Sequence, residues 1–121
     1  RKFLEENGVD VSHALELLGD MEMYNMTIHD FYDDVSSKWE KIKEYKEQNN
    51  MSDYSIEVHS LKSDCKYLGF MKLADISYQH ELKSKENDVE FVLNNFGELE
   101  SEYYKMYEIA KNYTEHNKVE E

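Results

Sequence analysis

Residues 52–69 read SDYSIEVHSLKSDCKYLG, and the spacing of their apolar residues predicts one helix that starts near Ser52 or Asp53 and stops at Gly69. On a wheel of about 100° per residue, five side chains share a sector of roughly 80°. These residues are Tyr54, Val58, Leu61, Cys65 and Leu68. The segment therefore predicts an amphipathic helix with one buried face.

The opposite side of this helix carries His59, about 140° from the centre of the apolar face. Imidazole is a good nucleophile near neutral pH, because much of it is uncharged there. Lys62 and Lys66 follow one and two turns later, where their ammonium groups could reach over the ring and hold phosphate oxygens. This face predicts a nucleophilic site, although His59 also fits an ordinary exposed histidine with basic neighbours.

Small and apolar residues on the same outer side predict a place for a partner protein. Ser63, at i+4 from His59, is too small to stand over the ring and block an approach. Ile56 and Tyr67, at the margin of this face, would give a partner an apolar grip, and Ser55 is expected to be exposed beside them. The expected partner-contacting residues are Ile56, Ser63, Lys66 and Tyr67.

Long helices follow from the absence of proline and the presence of only four glycines. The predicted helices are a short one at Val11–Leu18 and four long ones, from after Asp20 to about Gln48, from near Ser52 to Leu68, at about 70–85 and at about 89–112. Short connections then predict an all-α fold, an antiparallel up-down four-helix bundle with a short additional N-terminal helix. The 121 residues are expected to form one domain, with a core at about 8–112 and flexible ends at 1–7 and 113–121.

Two further apolar stripes, with residues mostly three or four apart, mark the inner faces of the first and last long helices. The first stripe consists of Tyr24, Ile28, Phe31, Val35, Trp39, Ile42 and Tyr45. The residues expected to point inward from the last helix are Val89, Leu93, Phe96, Tyr103, Met106 and Ala110. Together these stripes supply the core that a bundle needs.

Composition excludes several classes of function. The formal net charge is −13, from 14 Lys+Arg against 27 Asp+Glu, so a nucleic-acid phosphate backbone or an anionic membrane surface would repel the chain. The chain has no run of about 18 apolar residues, which is the length that a membrane span needs. It also has no apolar segment near its start that would predict a signal peptide. We therefore expect no nucleic-acid partner and no direct membrane contact.

Metal and nucleotide sites are not predicted either. No histidine has a Glu three positions before it, as di-iron bundles require, and after His80-Glu81 the residue Ser84 stands where a second zinc-binding histidine would fall. The chain has no glycine-rich phosphate loop. Cys65 lies on the inner face, which predicts a small core residue and not a nucleophile.

The spacing of residues after His59 resembles that of a known family. His59-Ser60-Leu61-Lys62-Ser63 is followed by Cys65, by Leu68-Gly69, and then by Leu73 and Ile76. This segment resembles the histidine phosphotransfer (HPt) family, whose pattern is H-x-L-K-(G/S) with an L-G pair nine and ten residues past the histidine. The stretch at 8–20 also looks like the usual entry to such domains, and the resemblance covers roughly residues 8–112.

The resemblance implies a role for particular residues. His59 would carry a phosphoryl group on a ring nitrogen, Lys62 would offset the phosphate charge, and Ser63 takes a place usually held by Gly. Glu81 matches a Gln or Glu position on the next helix, where a carboxylate can hydrogen-bond the other ring nitrogen and fix the tautomer. A solvated charge is the alternative for Glu81. His80 falls where the family usually has an apolar residue, so we expect a packing histidine there.

The implied function is a phosphorelay module in which His59 accepts a phosphoryl group from a receiver-domain aspartyl phosphate and passes it to another receiver. Such a module is a phosphocarrier with no kinase activity or cofactor of its own, and Mg²⁺ is expected on the partner receiver domain. The expected partners are response-regulator receiver domains. Because the chain begins at Arg1 and not at Met, a hybrid sensor kinase in the same chain is a second expected partner.

Two alternatives stay open on sequence grounds. The first is a catalytically silent helical docking module that binds receiver or kinase domains, and the second is an unrelated helical scaffold. The expected location is cytoplasmic, either as a free protein or as the cytoplasmic part of a membrane-anchored sensor kinase.

Overall fold

A computed structural model describes residues 1–118, and the side chains of residues 1–116, as an all-helical structure. The helices are α1 (Lys2–Glu6), α2 (Val11–Leu18), α3 (Met21–Glu47), α4 (Met51–Leu68), α5 (Met71–Lys85) and α6 (Val89–Lys118). Helix α4 packs against α3 and α5, and α6 packs against α5 and α3. Within the described residues, no helix has the length and apolarity that crossing a membrane requires.

Short polar residues set where the helices begin. Asp10, Asp20 and Asn50 each accept a hydrogen bond from a backbone N–H of the first turn that follows. Asn50 is the cap of α4, so this helix starts at Met51, one residue before the predicted start. The predicted α2 and the four predicted long helices are confirmed, with ends that differ by at most six residues.

Gly69 ends α4 in a conformation that only glycine adopts readily. Its φ is +88°, and its carbonyl accepts a hydrogen bond from the Asp10 backbone N–H at 2.9 Å. A Cβ at this position would stand 2.5 Å from the Asp10 carbonyl oxygen. Gly69 therefore both stops α4 and lets the start of α2 lie against that end.

The buried faces of α3 and α4 match the predicted stripes, except that Tyr45 is only partly buried. In α6, however, the prediction for Leu93 is wrong, because this side chain is 49% exposed. The buried positions of α6 are Val92, Phe96, Leu99, Tyr103, Met106, Ala110 and Tyr113. They repeat at alternating steps of four and three, and Leu93 lies one residue outside this register.

The two chain ends contribute more to the core than the sequence predicted. Leu4, within the expected flexible segment 1–7, is fully buried in α1, a helix too short to show a periodic pattern. Tyr113 and Thr114, within the expected flexible segment 113–121, are buried on α6. Residues 119–121 of that segment lie outside the described residues.

Candidate functional site

The turn at Gly69-Phe70 folds α5 back along α4 and brings His59 and Glu81 together. These two residues lie at equal sequence distances from Phe70, as do Lys62 and Tyr78, so each pair faces across the two helices. His59 Nδ1 lies 2.9 Å from Glu81 Oε2, and Lys62 Nζ donates to Glu81 Oε1 at 2.8 Å. The structure therefore brings together His59, Lys62 and Glu81, the three residues for which the sequence predicted a chemical role.

Glu81 is a buried carboxylate and not a solvated charge. Its side chain is 3% exposed, and it accepts from Lys62, from His59 and from Lys85, whose Nζ lies 2.7 Å from Oε2. Burial alone would raise the pKa of Glu81, but these hydrogen bonds, first that from Lys62, outweigh burial and hold the pKa at about 2. At neutral pH this group is therefore an anion that can only accept hydrogen bonds.

The partner on Nδ1 fixes the tautomer of His59. Because ionised Glu81 has no proton to give, Nδ1 must carry the proton of this hydrogen bond. In the uncharged ring the lone pair then lies on Nε2, which has no hydrogen-bond partner among the described residues. The His59 side chain is 54% exposed, so the ring is accessible to a reagent from solvent. The arrangement provides a nucleophilic nitrogen on a fixed ring.

The sequence predicted that Lys62 could reach over the imidazole, but the structure shows that this side chain is not free to do so. Its side chain is 13% exposed, its ammonium lies on Glu81, and it stands 4.9 Å from the centroid of the Tyr78 ring. Lys85, which sequence reasoning missed, is 58% exposed and donates to the same oxygen that faces His59. Its place four residues after Glu81 was a readable signal, because i,i+4 pairs face each other on a helix.

The residues predicted to contact a partner differ in how exposed they are. Ile56, Lys66 and Tyr67 are exposed, and Ser63 is partly buried. The expectation for Ser55 is wrong, because this residue is buried and its hydroxyl donates to the Ser52 carbonyl. At about 100° from the centre of the apolar face, Ser55 lies at the edge of the outer side, where packing against a neighbour decides its exposure.

Two exposed apolar residues of α5, Tyr78 and Leu82, flank Glu81 and were not predicted. They follow each other at i and i+4, so they form a ridge along α5 on the side where Lys62 meets Tyr78. Ile56 and Tyr67 add two exposed apolar side chains on α4. Exposed apolar side chains near a polar centre are typical of a protein-binding face.

Asp64, a negative charge close to His59 in sequence, is already paired. Lys38 on α3 donates to Asp64 Oδ2 at 2.8 Å and also to the Ser60 hydroxyl. No sequence signal pointed to Lys38, because it comes from a different helix. The pair offsets the charge that Asp64 would otherwise present to an incoming phosphate.

His80 packs in the core, as predicted. Its ring is 1% exposed, Nε2 lies 3.2 Å from the Asn95 carbonyl oxygen, and Nδ1 lies 2.8 Å from the Tyr54 hydroxyl. Burial lowers its pKa to about 4, against a smaller raising effect of the contact with Asn95. Cys65 is also fully buried, and burial raises the pKa of its thiol.

Comparisons with protein-family models, with curated proteins and with solved structures find no match for this chain. Within the part of the chain that the structure describes, no group of three or more His, Cys, Asp or Glu side chains is arranged to hold a metal ion.

Proposed function

We propose that this chain is a histidine phosphotransfer module in which His59 accepts a phosphoryl group from a receiver-domain aspartyl phosphate and passes it to another receiver. The observation that carries the proposal is the contact of His59 Nδ1 with a buried, ionised Glu81, which leaves Nε2 of a half-exposed ring as the nucleophile. We also propose that the domain is cytoplasmic and that its four long helices form an antiparallel up-down bundle.

The proposed step is a direct transfer. The Nε2 lone pair of His59 attacks phosphorus, a bond from nitrogen to phosphorus forms, the bond from phosphorus to the aspartyl oxygen breaks, and the aspartate leaves as a carboxylate. The Nδ1 proton stays in place, so the phosphorylated ring is cationic. Glu81 Oε2, 2.9 Å away, offsets that new charge.

Charge near the site also suits an incoming dianion. Lys62 and Lys85 together carry two positive charges against the one negative charge of Glu81, so this cluster is positive in a chain of net charge −13. Lys85 is the more exposed of the two and is the freer to meet a phosphoryl oxygen. The proposed module needs no cofactor of its own, and Mg²⁺ would come with the receiver.

The test is labelling by a phosphorylated receiver domain. We expect the wild type to gain an acid-labile, base-stable phosphate and the His59→Gln variant to gain none. His29→Gln is the matched control, because His29 is also exposed and lies 3.5 Å from a carboxylate, that of Asp33. Equal labelling of the His59→Gln variant would refute the assignment.

A second candidate function is a catalytically silent docking module that binds a receiver or kinase domain through the same face. The engagement of Lys62 with Glu81 favours it, because the expected phosphate-binding lysine is largely buried. This candidate predicts receiver binding by the wild type with no phosphate on His59 from either a receiver or a small phosphodonor such as phosphoramidate.

A further inference from the structure

A groove lies between α3 and α4. Its floor is apolar and formed by Phe31, Val35 and Leu68, all of which are buried. Its rim carries Tyr67, which is about half exposed, and charged residues from both helices. At about 300 Å³ the groove has room for one or two side chains, but not for a helix.

The groove has an uncompensated negative charge. Three carboxylates line it, those of Asp30, Asp34 and Asp64, together with a single cation, Lys38. Lys38 pairs with Asp64 at 2.8 Å, whereas Asp30 and Asp34 have no ion pair among the described residues. A net charge of −2 therefore remains above an apolar floor.

The groove and His59 lie on two sides of α4. Lys38, which lines the groove, donates to Ser60, the residue directly after His59 in the sequence, whereas His59 itself faces Glu81 of α5. Tyr67 lines the groove and also belongs to the residues predicted to contact a partner. A protein that covers both His59 and Tyr67 would also cover one rim of this groove.

We propose that the groove binds a lysine or arginine side chain of the receiver domain that docks at His59, and that it selects among receivers by this contact. The inference rests on the proposed function. Both side chains have an apolar stem that suits the floor and a cationic head that suits Asp30 and Asp34. Arginine can also stack on the exposed ring of Tyr67.

Lys38 shows that this type of side chain fits the groove. Its side chain is 20% exposed, and its ammonium lies between the Ser60 hydroxyl and the Asp64 carboxylate. The partner's basic residue would repeat this arrangement toward Asp30 and Asp34. Charge across an interface acts mainly on the rate of association and on the choice of partner, which is the role assigned here.

The test compares Asp30→Asn/Asp34→Asn with the control Asp33→Asn. Asp33 lies on the same helix and faces His29, and it does not line the groove. With a phosphorylated receiver that labels the wild type, we expect the groove variant to need roughly three- to tenfold more receiver for half-maximal labelling, with a weaker dependence on salt. Labelling by phosphoramidate, which has no side chain to dock, should be unchanged in both variants.

The outcomes separate the two proposals. If receiver labels the wild type, the groove variant and the Asp33 control at the same concentration, the groove inference is wrong and the proposed function stands. If the groove variant loses phosphoramidate labelling as well, the aspartates act on the site and not on the partner, which also overturns the inference. If neither donor labels the wild type, both proposals fail.

Discussion

Two histidines on adjoining helices, His59 and His80, show how surroundings decide what one residue type can do. His59 stands half exposed with a buried carboxylate on Nδ1, and its Nε2 has no hydrogen-bond partner among the described residues. His80 is buried, and both of its ring nitrogens have partners. The Asn95 carbonyl can only accept, so Nε2 of His80 donates to it and Nδ1 accepts from the Tyr54 hydroxyl.

The difference lies in the partner groups. A carboxylate beside Nδ1 favours the protonated nitrogen and stabilises positive charge on the ring, which is what a phosphoryl acceptor needs. A carbonyl and a hydroxyl in the core hold the His80 ring neutral and use its only lone pair. By this comparison, His59 is available for chemistry and His80 holds α4, α5 and α6 together.

The largest expected effect is on stability. We expect His80→Ala to lower the free energy of unfolding by about 2–4 kcal/mol, because it opens a cavity, removes the partner of the buried Tyr54 hydroxyl and removes the contact with the Asn95 carbonyl. His59→Ala should change it by less than about 0.5 kcal/mol, since this side chain is half exposed. Urea denaturation of both variants measures the two values, and equal losses would contradict the comparison.

The same contrast predicts a pH dependence. The pKa of His80 is lowered to about 4 in the folded protein, so between its ordinary value and pH 4 the unfolded chain binds the proton more readily. Stability should fall by up to about 3 kcal/mol as the pH drops from about 6.5 to 4. The fall should persist in His59→Gln and be much smaller in His80→Ala, where carboxylates with a lowered pKa such as Glu81 still contribute near pH 4. A fall of equal size in His80→Ala would show that another group causes it.

The two lysines on Glu81 should differ in the same way as the two histidines. Lys62→Met should destabilise by about 1–2 kcal/mol, because it removes one of the donors that offset a buried charge. Lys85→Met should cost less than about 0.5 kcal/mol, since Lys85 is exposed. Thermal or urea unfolding measures the loss of stability in both variants. A larger loss for Lys85→Met would show that Lys85, and not Lys62, is the more important partner of Glu81.

The smallest expected effect concerns the charge of Glu81. Glu81→Gln keeps a hydrogen-bond acceptor for His59 Nδ1 but removes the negative charge that offsets the phosphorylated ring. We expect phosphoramidate labelling to slow roughly five- to tenfold, equivalent to about 1 kcal/mol. The tautomer of His59, observed through its ring nitrogens by NMR, should stay the same; an unchanged labelling rate would show that orientation alone matters.

The sequence predicted the features that depend on the geometry of a single helix. The five residues of the α4 inner face are all buried and His59 is exposed, because the period of the helix determines both. It did not predict the contact of Lys38 with Asp64 or the partly buried position of Lys62, since these depend on how neighbouring helices are rotated about their axes. The prediction that Leu93 points inward was wrong for a related reason, because packing against the neighbouring helices decides which residues of α6 face the core. Glu81 was singled out through the family resemblance and not through any local pattern.

The most direct test of the account identifies the atom that carries the phosphate. The intact chain is labelled with a phosphorylated receiver or phosphoramidate, and a long-range ¹H–¹⁵N spectrum of the histidine rings is recorded at neutral pH. We expect a phosphoryl group on Nε2 of His59, with the proton still on Nδ1 beside Glu81. A phosphoryl group on Nδ1 of His59, on another residue, or on none would contradict it.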